Sequence, residues 1–285
     1  MKKIVILLFV VCAANVWQSC KAQVLESKPP LDNFYEKVNN VGQEPRPYVN
    51  VRHADVYYAT RIWRTIDFRE KMNQYFYYPT QPVQDRISFM TMVNRGLREG
   101  SIVPYDAITD DFTRPMTYEE FISANTNIQE KEVEDLNNPG EMIRRIDTTS
   151  FSPENVKMIR IKEDYFVDKQ RSIRDIRILG ICPLMQVFDD QTGEFRGTKP
   201  LFWLYYPDCR DLFVNTESFN RHNSAMRLSY DDVFAWKRFF NSYIIKIDNQ
   251  QDRFVQEYAT GQQIMIIAEQ LKVQLLNVEQ DLWEF

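Results

Sequence analysis

Apolar and polar residues alternate through the middle of the chain, as they do in strands with one buried face. Ile173, Ile176 and Ile178 are separated by charged residues, which favours a half-buried antiparallel strand. Four runs are predicted to form strands: 158–167, 173–179, 185–188 and 201–206. A hairpin turn is predicted at 189–194. Pro207 is predicted to end the last of them, because proline lacks the N–H that a strand ladder needs.

Helical patterns flank this region. Residues 84–99 place apolar side chains on one face and are followed by Gly100, which predicts an amphipathic helix with a glycine cap. Thr117 is followed three residues later by Glu120. This is the arrangement of a capping box, so a second helix is predicted to begin there.

Two segments allow more than one interpretation. Residues 53–78 have apolar positions near helical spacing, but they are also rich in branched and aromatic residues, so helix and strand are both open. Ser229 and Asp232 repeat the capping pattern in a weaker form, because the third-position partner of a capping box is normally Glu or Gln.

The C-terminal region carries one apolar seam at steps of three and four residues, which predicts an amphipathic helix. Its positions are Ile264, Ile267, Leu271, Leu275, Val278 and Leu282. The seam is too short for an independent coiled coil, so it packs either on its own domain or on another subunit. Together with the strands it predicts an α+β fold, in which helices flank a middle region rich in antiparallel sheet.

The first 22 residues have the order of a secretory signal peptide. Lys2 and Lys3 precede the apolar run 4–11, and cleavage is predicted after Ala22. The run is shorter than the roughly 20 apolar residues that span a bilayer. Cys20 permits a second interpretation, as the acylated cysteine of a lipoprotein, but we expect it to be removed and the mature chain to be soluble.

The rest of the chain divides into an arm and a larger region. Residues 23–50 contain four prolines, an asparagine pair and one glycine, which predicts an extended arm. Such an arm lies across a neighbour in an assembly or is disordered in a monomer. Residues 51–285 form the predicted α+β region, and its division into two lobes, about 51–150 and 151–285, is left open.

Composition narrows the classes of function. The net charge is −5, and removal of the predicted signal peptide with its three lysines makes the chain more acidic. An acidic chain disfavours nucleic acid and anionic lipid as partners. Only 8 of the 285 residues are glycine, which argues against a glycine-rich nucleotide site, whereas an aromatic content of 14% supplies a large core.

The sequence contains no recognisable motif of a catalytic, metal or nucleotide site. The patterns GxSxG, HExxH, CxxC and GxGxxG are absent, as is a Walker loop. The two histidines, His53 and His222, have no metal-ligand spacing to other donors. The sequence therefore predicts a protein that is not an enzyme and that has no cofactor or metal site.

Acidic pairs and two cysteines are the remaining chemical candidates. The pairs at 110–111, 119–120, 189–190 and 231–232 are interpreted as solvated turns or as helix starts favoured by the helix dipole. Cys182 and Cys209 remain in the predicted mature chain. They either form a disulfide or stay as buried free thiols, and the sequence favours neither alternative.

Aromatic and apolar segments are the candidates for binding a partner protein. Tyrosine and tryptophan are enriched at interfaces, although an aromatic cluster is more often part of a core. The candidate residues are Trp63, Tyr75, Phe76, Tyr77, Tyr78, Ile264, Ile267, Leu271, Leu275, Leu282 and Trp283.

Six segments, taken in their order along the chain, carry a resemblance to a known family. They are IWRTIDFREKMN at 62–73, YYP at 77–79, GSIVPY at 100–105, ILGICPL at 178–184, LFWLYYP at 201–207 and DLWEF at 281–285. In this order they resemble the GldN/PorN family of gliding motility and type IX secretion proteins of Bacteroidetes. The resemblance covers nearly all of the predicted mature chain and brings no catalytic residues with it.

This resemblance implies a structural component of the periplasm that is associated with the outer membrane through a GldK/PorK-like lipoprotein. It also implies self-association in a ring, contact with the periplasmic domain of a GldM/PorM-like motor protein, and coupling of that motor to secretion and adhesin movement. The alternative is a periplasmic module that binds a peptide or glycan through Tyr75–Tyr78. A hydrolase with dispersed carboxylates is a third interpretation.

Overall fold

The computed structural model describes residues 40–83, 86–134, 142–149, 151–188, 195–220, 223 and 225–281. These residues all belong to one structural unit, Asn40–Phe285. Several predictions lie outside the described residues: the signal peptide with Cys20, residues 23–39 of the arm, the turn at 189–194, Leu282 and Trp283.

Eleven strands occur in the described residues. They are β1 (Val56–Asp67), β2 (Pro104–Tyr105), β3 (Asn127–Glu134), β4 (Met142–Thr149), β5 (Val156–Asp168), β6 (Ile173–Phe188), β7 (Phe195–Pro200), β8 (Trp203–Tyr205), β9 (Glu217–Ser218), β10 (Leu228–Ser229) and β11 (Tyr243–Ile247). Seven form one antiparallel sheet in the order β11–β1–β5–β6–β8–β2, with β7 also paired to β6. This sheet takes strands from both halves of the region 51–285.

Six α-helices and one π-helix accompany the strands in the described part of the chain. They are α1 (Gln74–Tyr77), α2 (Phe89–Glu99), α3 (Tyr118–Asn125), α4 (Tyr206–Asn215), the π-helix Asp232–Lys237, α5 (Val255–Tyr258) and α6 (Gln262–Asp281). The predicted α+β class, with an antiparallel sheet and flanking helices, is confirmed. Among the described residues, no helix has both the length and the apolarity needed to cross a bilayer.

The strands predicted at 173–179 and 185–188 are a single strand, β6, which pairs with β5 along nearly its whole length. Pro183 lies between the part of β6 that pairs with β8 and the part that pairs with β7. Its carbonyl accepts a hydrogen bond from the Leu201 N–H at 3.0 Å. The proline has no N–H to donate, but it lies between the β6–β8 and β6–β7 pairings and therefore interrupts neither of them.

The ambiguous segment 53–78 is mainly a strand. Residues 56–67 form β1, and only α1 and a 3₁₀ turn at His53–Asp55 are helical. β1 lies between β5 and β11 in the sheet. Pairing with distant strands therefore decides the conformation of a segment whose apolar spacing also fits a helix.

One predicted helix start agrees with the structure, and another is several residues too early. The capping box is confirmed: Thr117 Oγ1 accepts from the Glu120 N–H and the Glu120 carboxylate accepts from the Thr117 N–H. By contrast, α2 begins at Phe89 instead of residue 84, because the Ser88 hydroxyl caps it. Its predicted end is correct, and Gly100 supplies the left-handed conformation with φ of 73°.

The second capping pattern is present but leads to a different helix. Asp232 Oδ2 accepts from the Ser229 N–H at 3.3 Å, and Ser229 Oγ accepts from the Asp232 N–H at 3.1 Å. The element that follows is the π-helix, which ends at Arg238 with a left-handed φ of 48°.

The strand predicted at 201–206 is shorter in the structure. β8 covers only Trp203–Tyr205, and Pro207 lies in the first turn of α4. Proline is well suited to this position, because the N–H groups of a first turn have no partner within the helix. The strand already ends at Tyr205, so the prediction that Pro207 ends it is wrong, and Pro207 instead belongs to the start of a helix.

The main core contains buried residues of the large sheet, α1 to α4 and the π-helix. Phe234 of the π-helix lies at a meeting point of aromatic rings, with its ring centroid 4.9 Å from Phe76 and 5.4 Å from Phe89. The ring centroid of Phe213 of α4 lies 6.1 Å from that of Phe234. These rings join α1, α2, α4 and the π-helix into one packed layer.

The C-terminal seam packs on its own sheet. Leu275 is buried and Leu271 half-buried against Ile62, Tyr165 and Ile244, which come from β1, β5 and β11. Of the two alternatives for the seam, the structure therefore has the helix packed on its own domain.

Candidate functional site

Within the part of the chain that the structure describes, the chemical candidates of the sequence do not come together in a reactive site. The described residues contain no group of three or more side chains arranged to hold a metal ion. Cys182 and Cys209 are both free thiols. Burial raises the pKa of each thiol to about 12, so both are protonated at neutral pH and poorly nucleophilic.

The aromatic segment Tyr75–Tyr78 belongs mostly to the core. Phe76 is fully buried, the Tyr75 hydroxyl donates to the Phe239 carbonyl, and the Tyr77 hydroxyl donates to the Glu154 carbonyl at 3.3 Å. Tyr78 is the exposed member, at 52%. A stacking platform for a sugar requires exposed ring faces, so this segment does not provide one.

Trp63, another predicted partner residue, is also structural. It is buried in a second core with Cys182, Leu184 and Trp203. Its indole Nε1 donates to Asp110 Oδ2 at 2.8 Å, and Lys246 Nζ lies 4.1 Å from the ring centroid. Asp110, predicted as part of a solvated acidic pair, is therefore a hydrogen-bond partner of the core.

The described part of the arm, residues 40–50, lies on the body of its own chain without forming helix or strand. The side chain of Asn215, at the end of α4, accepts from the N–H groups of Gly42 and Gln43 at 2.6 and 3.1 Å. Arg210 Nη2 donates to the Arg46 carbonyl at 2.7 Å. These bonds fix the arm backbone along α4.

Tyr48 is the main side-chain anchor of the arm. Its ring lies between two guanidinium groups, with Arg177 Cζ 4.1 Å and Arg210 Cζ 4.2 Å from the ring centroid. The Trp236 ring lies 5.7 Å away. The buried hydroxyl of Tyr48 has no hydrogen-bond partner. The stacking of the ring, and not its hydroxyl, therefore holds the arm.

Asp231 accepts hydrogen bonds from two of the residues that contact Tyr48, namely Arg210 and Trp236. It is 2% exposed and receives two hydrogen bonds of 3.0 Å from Arg210, one of 2.7 Å from the Tyr206 hydroxyl and one of 3.2 Å from Trp236 Nε1. The sequence assigns this acidic pair to a helix start. The structure instead makes Asp231 the counter-ion of a buried arginine.

Replacing Tyr48 with alanine is expected to loosen residues 40–50 and to lower the free energy of unfolding by about 1–3 kcal/mol, because two stacked guanidinium contacts are lost. Tyr48→Phe is expected to be nearly neutral, since the hydroxyl has no partner. Amide hydrogen exchange at Gly42 and Gln43 measures the loosening. Equal loosening in both variants would contradict the stacking explanation, and Tyr57→Ala, at an exposed tyrosine, is the control.

A groove of 390 Å³ lies beside α6 and is lined by residues of this helix, of the sheet and of the loop after the π-helix. Val273 and Leu276 of α6 form its apolar wall. Its four basic side chains are each paired with a carboxylate: Arg64 and Arg238 with Glu163, Arg174 with Glu279, and Lys272 with Glu269. Four basic side chains thus share three carboxylates, so most of the charge in the groove is compensated and a small positive charge remains.

Glu163 lies beneath this groove and is completely buried. It receives hydrogen bonds from Arg64 Nε and, at 2.7 Å, from Arg238 Nη2. Burial alone raises the pKa of a carboxyl, but the attraction and hydrogen bonds of the two guanidinium groups outweigh it. The pKa of Glu163 is therefore below its ordinary value.

The side of α6 away from the seam, which borders this groove, is also apolar. We call it the outer face of α6. It consists of Met265, Ile266, Glu269, Lys272, Val273 and Leu276, and its four apolar members are between 47% and 57% exposed. The sequence contains this second stripe at helical spacing, but the seam has more apolar positions and is therefore predicted as the apolar face of the helix. In the described residues, no other helix has as many exposed large apolar side chains.

A family model described as gliding motility associated protein GldN matches residues 51–284. The chain belongs to the GldN family. None of the curated proteins compared with the chain matches it. The GldN match extends over β1 to α6, so it includes Glu163, Asp231 and the outer face of α6, whereas Tyr48 precedes it.

Sequence reasoning therefore missed the residues that form the polar centres of this GldN-family chain. Tyr48, Arg177 and Arg210 come together from the arm, β6 and α4, and no local spacing connects them. Of the predicted partner residues in the seam, Ile264, Ile267 and Leu271 are half-buried on the inner side of α6 and Leu275 is buried. The exposed apolar side chains of α6 are instead those of the outer face, Met265, Ile266, Val273 and Leu276.

Proposed function

We propose that this GldN-family chain is a structural ring component of the type IX protein secretion and gliding motility machinery. It resides in the periplasm and couples the inner-membrane motor to the outer-membrane complex. The observation that carries the proposal is the family match over residues 51–284, whose description is gliding motility. The ring and the coupling role extend the resemblance of the sequence to the GldN/PorN family.

The proposal assigns no catalysis, cofactor or metal to the chain. Its partners are a GldK/PorK-like outer-membrane lipoprotein, the periplasmic domain of a GldM/PorM-like motor protein and further copies of itself. The chemistry of the described residues is compatible with this role. Both cysteines are inert by burial, and the charged groups of the groove are paired with each other.

The test is purification of the affinity-tagged chain from the cell envelope of its own host after mild crosslinking. A lipoprotein and a motor protein should be recovered with it in fixed ratio, and electron microscopy should show closed rings. A soluble periplasmic protein carrying the same tag is the control for non-specific capture. Recovery of the chain as a monomer without a lipoprotein would overturn the proposal.

A further inference from the structure

The outer face of α6 combines exposed apolar residues with one pair of opposite charges. Along the helix, Met265, Glu269, Lys272 and Leu276 follow one another at steps of four, three and four residues. This spacing places them on one stripe. Glu269 and Lys272 form an ion pair within the helix at 3.6 Å, but their side chains are 66% and 59% exposed, so both charges can also reach a second molecule.

This stripe is complementary to itself in the antiparallel direction. If two copies of α6 cross about a twofold axis between Gln270 and Leu271, Met265 of each copy faces Leu276 of the other. The same axis places Glu269 of each copy opposite Lys272 of the other. Apolar residues then meet apolar residues and each charge meets its opposite, as a self-complementary twofold interface requires.

A parallel arrangement lacks this property. It would bring each Glu269 against the second Glu269 and each Lys272 against the second Lys272, and like charges at close range are unfavourable. A strongly acidic or strongly basic partner is a poorer fit, because the outer face of α6 carries one charge of each sign, Glu269 and Lys272. The pattern of charges therefore selects a second copy of this chain in antiparallel orientation.

We infer that two copies of this chain associate through the outer faces of their α6 helices, packed antiparallel about a twofold axis between Gln270 and Leu271. The inference goes beyond the proposed function, since a twofold contact joins copies in pairs, and the head-to-tail contacts that close a ring lie elsewhere on the chain. The two can fail separately: recovery of the lipoprotein tests the assembly in the envelope, whereas the purified chain alone tests the α6 contact.

Engineered disulfides test both the contact and its direction. Residues 265 and 276 are about 16 Å apart along one helix, at about 1.5 Å per residue, so they cannot bond within a chain. The purified mature chain carrying both Met265→Cys and Leu276→Cys should oxidise to a covalent dimer. Either substitution alone should give no covalent dimer. The thiol of Met265→Cys then faces Leu276 of the other copy, and the thiol of Leu276→Cys faces Met265, and neither side chain can form a disulfide.

The native thiols do not interfere with this test. Cys182 and Cys209 are buried, and the unsubstituted chain serves as the background. Dimers from Met265→Cys alone would indicate a parallel contact and overturn the antiparallel inference. Absence of dimer from the double variant, at concentrations where sedimentation shows association of the unsubstituted chain, would overturn the contact itself. So would a strictly monomeric unsubstituted chain.

Charge reversal provides an independent test in solution. Glu269→Lys places lysines opposite lysines, and Lys272→Glu places glutamates opposite glutamates. Each should weaken dimerisation about tenfold or more, because two attractive pairs become repulsive. The double variant Glu269→Lys/Lys272→Glu restores opposite charges at both positions, and it should dimerise about as well as the unsubstituted chain.

Analytical ultracentrifugation of the four chains measures this pattern. Glu99→Lys is the matched control, because Glu99 forms a similar exposed pair with Arg95 on α2, and it should leave dimerisation unchanged. An equimolar mixture of the two single variants should form a mixed dimer, since lysines of one chain face glutamates of the other. Failure of the double variant to recover, with its circular dichroism unchanged, would contradict the inference.

Discussion

Replacing Asp231 with asparagine is expected to lower the free energy of unfolding by about 3–5 kcal/mol, because it leaves a buried arginine without its counter-ion. Arg210 is 7% exposed in its side chain and donates two hydrogen bonds to Asp231. Asparagine retains the size of the side chain but removes the charge. Urea denaturation at neutral pH measures the loss.

Two variants show whether the loss comes from the uncompensated charge. Adding Arg210→Met to Asp231→Asn removes the stranded guanidinium and should recover part of the stability, because an apolar side chain tolerates the buried site. Asp111→Asn, at an exposed aspartate, should change the stability by less than about 0.5 kcal/mol. A double variant no more stable than the single one would contradict this account.

Replacing Glu163 with glutamine is expected to have an effect of the same size, about 3–5 kcal/mol at neutral pH, since Arg64 and Arg238 then lose a shared carboxylate that is completely buried. Calorimetry or urea denaturation measures the difference. Glu257→Gln, at an exposed glutamate, is the matched control and should be nearly neutral.

The effect of this substitution should depend on pH in a defined direction. Because the folded-state pKa of Glu163 is lowered, its carboxylate stabilises the fold fully above the unfolded pKa of about 4.3. That stabilisation is lost as the pH falls through the lower folded value. The stability of the unsubstituted chain should therefore approach that of Glu163→Gln in acid. A constant difference from pH 7 to pH 3 would contradict the assignment.

Local signals were sufficient where both partners of an interaction lie within a few residues. Thr117 and Glu120 are three residues apart, so the sequence contains the whole capping box and predicts it correctly. The helix of α6 was predicted for the same reason, since its period is a property of neighbouring turns. The α+β class followed from the alternation around Ile176, which needs no knowledge of distant partners.

Local signals failed where distant residues decide. Val56, Ala59, Trp63 and Ile66 fit a helix by spacing, yet β1 is a strand because β5 and β11 offer it pairing on both sides. Ion pairs are equally hidden. Arg64 meets Glu163 across 99 residues, and the sequence shows only two ordinary charged residues. On α6 the sequence cannot distinguish the half-buried seam from the exposed outer face, because burial depends on where the helix packs.

The position of β1 in the sheet has a consequence for the order of folding. Its residue Ile62 pairs with Ile247 of β11, close to the other end of the described chain. A contact between positions so far apart forms slowly, because a long loop must close before the pairing is gained. Strand β1 therefore lacks one neighbour until almost the whole chain has been synthesised. Refolding should show β5–β6 hairpin protection before protection of β11.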